Sequence, residues 1–341
     1  MRALVDVTHP AHVHLFRNAV GELRNRGHAV RVASREKDVT TDLLDAHGIP
    51  HAVLSRKRAG PAGVAREWAG RELRLLRYAR RFDPDVVLSR LNPASAHVAA
   101  TLGVPNVVFH DTEVAGALDR VTLPFAAVVA TPAEFDRDLP ARHLRYQGYH
   151  ELAYLHPARF APDPQRLRDH GVSPDDRYAV LRLVARDGHH DDADAGLSAA
   201  AARTLVDDLP GDVFVSAEGA LPPGLAAREP PVPVDAMHDL LAFADVYVGD
   251  SATMATEAGL LGTPSVRYDA FDGVLGNFEA LADYGLVAST GDEREAVDRA
   301  RSLADDPDAG DRWRRRRRRL LADKIDLTAY VVELAEEVGG E

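Results

Sequence analysis

At 341 residues with no cysteine, the chain is long enough for about two domains and excludes disulfides and thiolate metal sites. Asp and Glu number 53 against 41 Lys and Arg, a net charge of −12 that argues against nucleic acid as the main partner. The sequence lacks an apolar run of about 18 residues, and it opens on a short strand pattern instead of a signal peptide, so we expect a cytoplasmic protein.

The cations are mostly arginine, since lysine occurs only at Lys37, Lys57 and Lys324. This bias, with abundant Asp and Ala, is typical of proteins from high-salt organisms and of halophilic archaea among them. A GC-rich genome gives the same composition, and the sequence does not decide between the two origins.

Short β-branched runs alternate with helical patterns along the whole chain, which is typical of βαβ units and parallel sheets. The first loop, residues 8–12, lacks the G-x-G-x-x-G fingerprint, which argues against dinucleotide binding. The predicted strands are 3–7, 28–33, 51–54, 85–89, 106–110, 126–130, 178–184, 212–216, 245–248, 265–268 and 286–288. The predicted helices include 13–26, 38–47, 64–82, 93–102, 195–207, 235–242, 277–284, 292–304 and 311–338, with another starting after Ser251.

A domain boundary is predicted between residues 148 and 176, where four prolines interrupt any regular element. We expect an N-terminal domain over residues 1–155 and a C-terminal domain over 156–341. LGVPNV at 102–107 is echoed by LGTPSV at 261–266, so two similar doubly wound sheets are the simplest arrangement.

The segment from Gly249 to Leu261 joins two predicted strands through a turn and a helix. Asp250 or Ser251 is a natural N-cap, which leaves the amides of Ala252 and Thr253 at the positive end of the helix dipole. A phosphate group suits such a helix start.

Glu257 follows on the second turn of the same helix. Its carboxylate could accept hydrogen bonds from the vicinal hydroxyls of a ribose. The plainer interpretation is that Glu257 faces solvent and that Asp250 is only a cap, and both interpretations stay open at this point.

These residues also carry a family resemblance. The Asp250–Thr253 segment with Glu257 and the exit LGTP resembles the donor-nucleotide helix of two-domain nucleotide-sugar glycosyltransferases, the GT-B architecture. It is also similar to the Asp-Ser-Gly-Gly helix of the non-hydrolysing UDP-N-acetylglucosamine 2-epimerases. With THPAHVHLFR at 8–17, GYHELAYL at 148–155 and SAEG at 216–219, the chain resembles a mainly archaeal family of predicted glycosyltransferases, related to the epimerase and MurG-like superfamily.

The resemblance implies two Rossmann-like α/β domains that face each other across a cleft, with the last helix crossing back to the N-terminal domain. It implies a metal-independent inverting glycosyltransferase that takes a nucleotide sugar, most simply a UDP-sugar, and a glycan or lipid-linked acceptor. No cofactor is expected beyond that substrate. An epimerase or a non-catalytic nucleotide-sugar binding protein is the alternative, and the epimerase is disfavoured because its family has Gly-Thr-Arg-Pro-Glu where this chain has THPAH.

Three histidines, His9, His12 and His14, crowd the first strand-loop-helix junction. Their alternating spacing is weak as a zinc motif. The resemblance makes His12 the positional match to a cleft-facing histidine, and hence a candidate general base. A loop-structuring role is the alternative.

A second acid–base candidate follows the strand at 106–110. Asp111 and Glu113 could activate an acceptor hydroxyl or orient a histidine. Equally, Asp111 could cap the next helix and Glu113 could occupy its first turn.

The remaining candidates are weaker. Glu218 and Gly219 could contact the base or sugar, Arg186 could contact phosphate or sugar, and Asn277 could add a donor contact. The run Arg314 to Arg319 is interpreted as a cationic face against acidic neighbours or against anionic lipid at the inner face of the membrane, and not as a nucleic-acid site.

Overall fold

The structure of the chain, a computed structural model, describes residues 1–113, 116–139, 142–184, 196–217, 221, 224–269 and 276–340. The chain folds into two compact units. Unit 1 comprises Met1–Arg159 and Lys324–Glu341, and unit 2 comprises Phe160–Asp323. Each unit is built on one parallel sheet with helices, which confirms the predicted α/β class.

The elements of the described residues follow in chain order. The strands are β1 (Arg2–Val7), β2 (Ala29–Glu36), β3 (His51–Arg56), β4 (Val86–Arg90), β5 (Asn106–Phe109), β6 (Val128–Pro132), β7 (Arg142–Tyr146), β8 (Tyr178–Leu183), β9 (Asp212–Ala217), β10 (Val246–Gly249), β11 (Ser265–Tyr268) and β12 (Val287–Thr290). The α-helices are α1 (Pro10–Asn25), α2 (Thr40–Ala46), α3 (Pro61–Phe82), α4 (Pro93–Leu102), α5 (Ala117–Thr122), α6 (Leu152–Leu155), α7 (Pro164–Arg168), α8 (Ala199–Asp208), α9 (Met237–Phe243), α10 (Ala252–Leu261), α11 (Gly276–Asp283), α12 (Glu293–Asp305), α13 (Ala309–Asp323) and α14 (Leu327–Gly340). Within the described part of the chain, no helix is both long and apolar enough to cross a bilayer.

The sheet of unit 1 has the strand order β3-β2-β1-β4-β5-β6-β7, and all its pairs are parallel. At its centre, Val5 of β1 pairs with Val32 of β2 on one side and with Leu88 of β4 on the other. The chain order therefore reverses between β1 and β4. Open α/β sheets bind ligands outside the carboxyl ends of their strands at such a switch point.

The sequence pattern does not predict β7. This edge strand pairs with β6 alone, and of its five residues only Tyr146 is buried. A short polar edge strand gives little apolar periodicity, so the element is found only through its pairing.

The prediction of one helix over residues 311–338 is wrong. The structure has two helices there, and the Asp326 side chain accepts a hydrogen bond from Thr328 N (3.0 Å) at the start of the second one. This second helix, α14, belongs to unit 1, where it packs on α1 and α6 and Thr328 Oγ1 donates to Ala153 O (2.6 Å).

The sheet of unit 2 has the order β12-β11-β10-β8-β9, again all parallel. Its switch point lies between β8 and β10. Helices α8 and α12 pack on one face through an apolar cluster that includes Leu205, Val248 and Ala300. Helix α10 covers the opposite face, where Ser265 Oγ donates to Ala255 O (2.9 Å).

The arginine run lies on α13 and is partly structural. Arg316 donates to Gly285 O (2.8 Å), and Arg317 donates to Leu260 O (2.6 Å) in the last turn of α10. A cation at a helix C-terminus complements the helix dipole. Part of the run therefore stabilises unit 2, while Arg315 and Arg318 are exposed.

Candidate functional site

The switch point of unit 1 is organised by Asp6, a fully buried carboxylate near the end of β1. It forms an ion pair with the buried guanidinium of Arg71 and accepts hydrogen bonds from Asn92 (2.7 Å) and Ser95 (2.6 Å). Asn92 in turn caps α4 by accepting from Ala94 N (3.1 Å). The loops that follow β1 and β4 are thus fixed by one shared buried anion.

The histidines of the first loop, His9 and His12, are held by main-chain amides. Thr8 N donates to His12 Nδ1 (3.3 Å), and Ala11 N donates to His9 Nδ1 (3.3 Å). A main-chain N–H can only donate, so Nδ1 is the acceptor and the proton of each neutral ring lies on Nε2. Both rings are therefore set up to donate, and not to accept, through Nε2.

Burial keeps both of these rings neutral. It lowers the pKa of His9 to about 4, with Lys37 acting in the same direction. Burial, followed by the charge of Arg90, also holds the pKa of His12 well below its usual value.

Asp111, two residues after the end of β5, is engaged by three groups. It pairs with Arg90 from the end of β4, lies 2.7 Å from His150 Nδ1 and accepts from Thr112 Oγ1 (3.0 Å). Burial opposes its ionisation, but Arg90 and His150 outweigh that effect and hold the pKa of Asp111 well below its usual range. Asp111 therefore stays an anion, which suits it to orient a histidine.

His150 is the histidine that Asp111 orients. Asp111 Oδ2 lies 2.7 Å from Nδ1 without the alignment of a hydrogen bond, so it is the charge of the carboxylate that favours the ring proton on Nδ1. That tautomer leaves the lone pair on Nε2, as a general base needs. Nε2 is buried and has no hydrogen-bond partner among the described residues. Burial lowers the pKa of His150, so the ring is unprotonated at neutral pH.

Sequence reasoning did not select His150. Its position at the carboxyl edge of the sheet depends on β7, the strand that the sequence pattern does not predict, because His150 follows that strand. The sequence signal for His150 is the GYHELAYL tract, which also carries the family resemblance.

Glu113 lies in a neighbouring network. Arg137 donates to Glu113 O (2.6 Å) and to Asp119 Oδ2 (2.7 Å), and the other Asp119 oxygen lies 3.2 Å from His110 Nε2. The sequence motif from His110 to Glu113 therefore serves two clusters, one around Asp111 and one around Asp119.

In unit 2, α10 starts directly after β10 at the switch point. Ser251 caps it by accepting from Met254 N (3.3 Å). The amides of Ala252 and Thr253 have no hydrogen-bond partner within the described part of the chain, and both residues are partly exposed. This helix start is therefore open to an anion.

Asp250 does not cap α10, which was one of the two roles open to it from the sequence; Ser251 is the cap. The Asp250 carboxylate accepts from Val184 N (2.7 Å) and Leu197 N (3.0 Å), and so joins the two chain segments that flank residues 185–195. Arg186 falls in that interval and lies outside the described residues, as do Glu218 and Gly219. Asn277 is described, near the start of α11, and its Oδ1 is buried with no hydrogen-bond partner among the described residues.

Glu257, the candidate ribose ligand, is buried instead of facing solvent, with 4% of its surface exposed. His238 Nε2 from α9 lies 3.0 Å from Glu257 Oε1. The neighbouring histidine fixes the carboxylate in one position, which is what a specific hydroxyl contact requires.

A polar row crosses the carboxyl end of the unit 2 sheet. Arg182 of β8 and Arg267 of β11 are both in register with Gly249 of β10. Residues in register on parallel strands point to the same face, so the two arginines flank Gly249 on one side of the sheet. Tyr247 points to this face too, and its hydroxyl lies 3.4 Å from Ser251 O.

This row places two guanidinium groups beside Gly249, the last residue of β10 before the turn into α10. Arg182 donates to Ser216 Oγ (2.5 Å). Arg267 pairs with Asp269 and lies 4.0 Å from the centre of the Phe278 ring. Sequence reasoning missed both arginines, although an arginine inside an otherwise apolar strand is itself a signal.

No group of three or more His, Asp or Glu side chains lies close enough to hold a metal ion, as far as the chain is described. Independence from metal stays a prediction.

The comparisons with known proteins agree with this architecture. The model of a family described as "Protein of unknown function (DUF354)" matches residues 1–195. No curated protein matches the chain. Among solved structures, the chain is similar to the spinosyn forosaminyltransferase SpnP, with 17% identity, a TM-score of 0.65 and 100% of both chains covered.

Two further structures are similar in fold. The glycosyltransferase VinC in complex with DTDP is 18% identical, with a TM-score of 0.62 and 100% of both chains covered. MurG from Acinetobacter baumannii is 16% identical, with a TM-score of 0.58, covering 99% of this chain and 100% of that one. The chain therefore belongs to the DUF354 family and has the fold of GT-B glycosyltransferases.

Proposed function

We propose that the chain is a metal-independent inverting glycosyltransferase that moves a sugar from a nucleotide sugar to a glycan or lipid-linked acceptor. The observation that carries the proposal is the Ser251-capped start of α10, which lies open at the β8/β10 switch point. The likeness to glycosyltransferases, one of them in complex with DTDP, supports the donor class. A UDP-sugar is the first donor to test, and UDP and DTDP share the pyrimidine nucleoside diphosphate.

On the donor side, the amides of Ala252 and Thr253 bind the diphosphate, and Glu257 binds the ribose. Arg267, which pairs with Asp269, lies on the same face of the sheet next to Gly249. As the nucleoside diphosphate departs it gains negative charge, which fixed amides and the helix dipole stabilise without reorganising. Further donor contacts are proposed from Arg186, Glu218, Gly219 and Asn277.

On the acceptor side, a hydroxyl must lose its proton as it attacks the sugar from the face opposite the leaving group. The base needs a ring nitrogen with a free lone pair, and the Asp111-bound tautomer of His150 offers Nε2. Leaving this nitrogen buried without a hydrogen-bond partner costs free energy. A substrate hydroxyl that donates a hydrogen bond to it would remove that cost. We therefore assign the base to His150, with Asp111 as its positioning residue.

His12 has a different role in this proposal. Its Nε2–H donates a hydrogen bond that orients the acceptor oxygen, because Thr8 N holds Nδ1 as an acceptor. Glu113 stays the alternative base named from the sequence.

The activity is tested by incubating the full chain with UDP-N-acetylglucosamine, UDP-glucose and TDP-glucose, with and without a pool of glycan acceptors. Release of the nucleoside diphosphate that increases with acceptor supports the transferase. Conversion of the sugar to its 2-epimer without acceptor would identify an epimerase. Binding measured by calorimetry with no turnover would identify a nucleotide-sugar binding protein.

The assignment of the base is tested by three variants under saturating donor. His150→Asn should lower kcat by about 10² to 10⁴, the usual contribution of a general base. His12→Asn should mainly raise the KM for the acceptor, and Asp111→Asn should lower kcat because it releases the His150 tautomer. If His12→Asn loses kcat while His150→Asn keeps it, the two roles are reversed.

Independence from metal is tested with a chelator. Activity should persist after dialysis against EDTA, because fixed amides and arginine carry the compensating charge in this proposal. Loss of activity that a divalent ion restores would overturn that part of it.

A further inference from the structure

The loop after β1 carries a histidine, His9, to which the proposed function gives no role. Ala11 N holds its Nδ1 as an acceptor, so the ring proton lies on Nε2, as it does in His12. The two ring centres lie 5.9 Å apart, and both residues are partly exposed. Within the described part of the chain, neither Nε2 has a hydrogen-bond partner. The loop therefore presents two ring N–H groups that donate and do not accept.

Two cations flank this loop. Strands β2 and β4 pair with β1 on its two sides. Lys37 directly follows β2, and Arg90 is the last residue of β4, so both stand at the carboxyl edge of the sheet beside His9. Arg90 pairs with Asp111, whereas the Lys37 ammonium lies 3.3 Å from the half-exposed carboxylate of Asp38. An exposed pair of this kind contributes little to stability, so Lys37 is the cation that can turn to a ligand.

The electrostatic potential at the loop is positive despite these two carboxylates. Burial lowers the pKa of His9 most, Lys37 and Arg90 follow, and the carboxylate paired with Lys37 opposes them less strongly. For the pKa of His12, which burial again lowers most, the effect of Arg90 exceeds that of the carboxylate it pairs with. Donor groups at a positive potential favour a ligand that is negatively charged and accepts hydrogen bonds.

We propose that His9 and Lys37 bind an anionic group, a carboxylate or a phosphate, on the sugar unit of the acceptor that reacts. The anion accepts from Nε2–H of His9 and from the Lys37 ammonium, and hydrogen bonds to a charged group are the strong ones. In the proposed function His12 holds the reacting hydroxyl, and its ring centre lies 5.9 Å from that of His9. That spacing is about the width of one sugar ring, so the anion and the hydroxyl belong to the same unit. The assignment to an acceptor rests on the proposed function, whereas the binding of an anion does not.

The lysine content of the chain makes this site directly measurable. Lysine occurs only at Lys37, Lys57 and Lys324, and of the other two Lys57 is exposed whereas Lys324 is buried. The full chain is acetylated with acetic anhydride, and each lysine is followed by peptide mass spectrometry. Inorganic phosphate and glucuronate are the anionic probes, and glucose is the neutral probe. With an anion at about ten times its Kd, acetylation of Lys37 should slow about tenfold, while Lys57 reacts as before and glucose has no effect.

The contribution of the ring N–H is tested with His9→Asn. Asparagine keeps a side-chain acceptor for Ala11 N at the N-cap, so α1 is retained while Nε2–H is lost. The Kd for phosphate, measured from the protection of Lys37, should rise about tenfold in this variant. Lys57→Gln is the matched control for a changed polar residue outside the site, and it should leave that Kd as it is.

The acceptor is tested by dividing the glycan pool into neutral, uronate-bearing and phosphate-bearing fractions. Transfer should occur to one of the anionic fractions, and that fraction identifies the anion. Lys37→Gln should raise the KM for this acceptor about tenfold, because it removes a charged hydrogen bond, and it should retain kcat. Lys57→Gln removes the same charge and should change neither constant.

The two assays separate this inference from the proposed function. Equal protection of Lys37 and Lys57, protection by glucose, or no protection of Lys37 would overturn the anion site. Transfer to the neutral fraction, with an unchanged KM in Lys37→Gln, would keep the proposed function and overturn this inference. Protection of Lys37 without transfer to any fraction would support the anion site and contradict the proposed function.

Discussion

At the scale of single residues, Glu257 offers the sharpest test of the donor site. Replacing it with alanine should weaken UDP binding by about 1 to 3 kcal/mol, or roughly 5- to 150-fold in Kd, because a hydrogen bond to a charged group is lost. Calorimetry measures the change, and Glu279→Ala, an exposed position on α11, is the control. Unaltered UDP affinity in Glu257→Ala would remove this residue from the site.

His110 gives a second test at this scale, through pH. Burial lowers its pKa to about 4 from 6.5, against the opposing effect of Asp119. Because the folded pKa is the lower one, the unfolded chain takes up the proton first as pH falls, and stability declines between about pH 6.5 and about pH 4. The loss from this one group is on the order of 3 kcal/mol.

The His110→Gln variant should therefore show a shallower fall in the free energy of unfolding across that range, measured by urea denaturation. The slope does not vanish, because His12 and His150 are also kept neutral by burial. His170→Gln, at an exposed position, should leave the slope as it was. An identical slope in His110→Gln would mean that His110 is not held neutral by the fold.

At the scale of elements, the end of β10 tolerates only glycine. A Cβ at Gly249 would lie 2.5 Å from Arg182 O and 2.8 Å from the Tyr247 hydroxyl. Gly249→Ala should therefore destabilise by about 1 to 3 kcal/mol, the usual cost of overpacking.

Gly21→Ala is the control: it makes the same substitution, but we expect the opposite effect on stability. Gly21 lies within α1, and a Cβ at this position would meet nothing within 4 Å, so Gly21→Ala should stabilise by about 0.5 to 1 kcal/mol. Thermal unfolding of both variants measures the pair. Stabilisation by Gly249→Ala would show that the strand end can shift, and with it the arginines on either side.

At the scale of the whole molecule, unit 1 depends on the last segment of the chain. Helix α14 buries Leu327, Val331, Val332, Leu334 and Val338 in it. At about 1.5 to 3 kcal/mol for each large apolar side chain, their loss approaches the total stability of an ordinary domain, about 5 to 15 kcal/mol.

A chain that ends at Asp323 should therefore lose hydrogen-exchange protection across residues 1–159 and keep it in unit 2. Removal of only Gly340 and Glu341 should have little effect, because a side chain at Gly340 would meet nothing within 4 Å. Full protection of residues 1–159 in the shorter chain would show that unit 1 is stable without α14.

The sequence by itself determined the features that local signals encode. Alternating strand and helix patterns predicted the two parallel sheets, and the N-cap at Ser251 predicted the open start of α10. Both follow from periodicity and capping, which act within a few residues. The positions of Asp111 and Asp250 just beyond strand ends were likewise readable from the chain.

Only the tertiary structure decided which of these groups meet. The pairing of Asp111 with Arg90 and His150 joins β5, β4 and the segment after β7, and the last of these strands has no local signal. Likewise, Arg182 and Arg267 flank Gly249 because of the register of the sheet. That register is set by pairing between segments that are distant in the sequence. Such contacts depend on strand order and long-range packing, and therefore lie beyond any pattern within a short window of sequence.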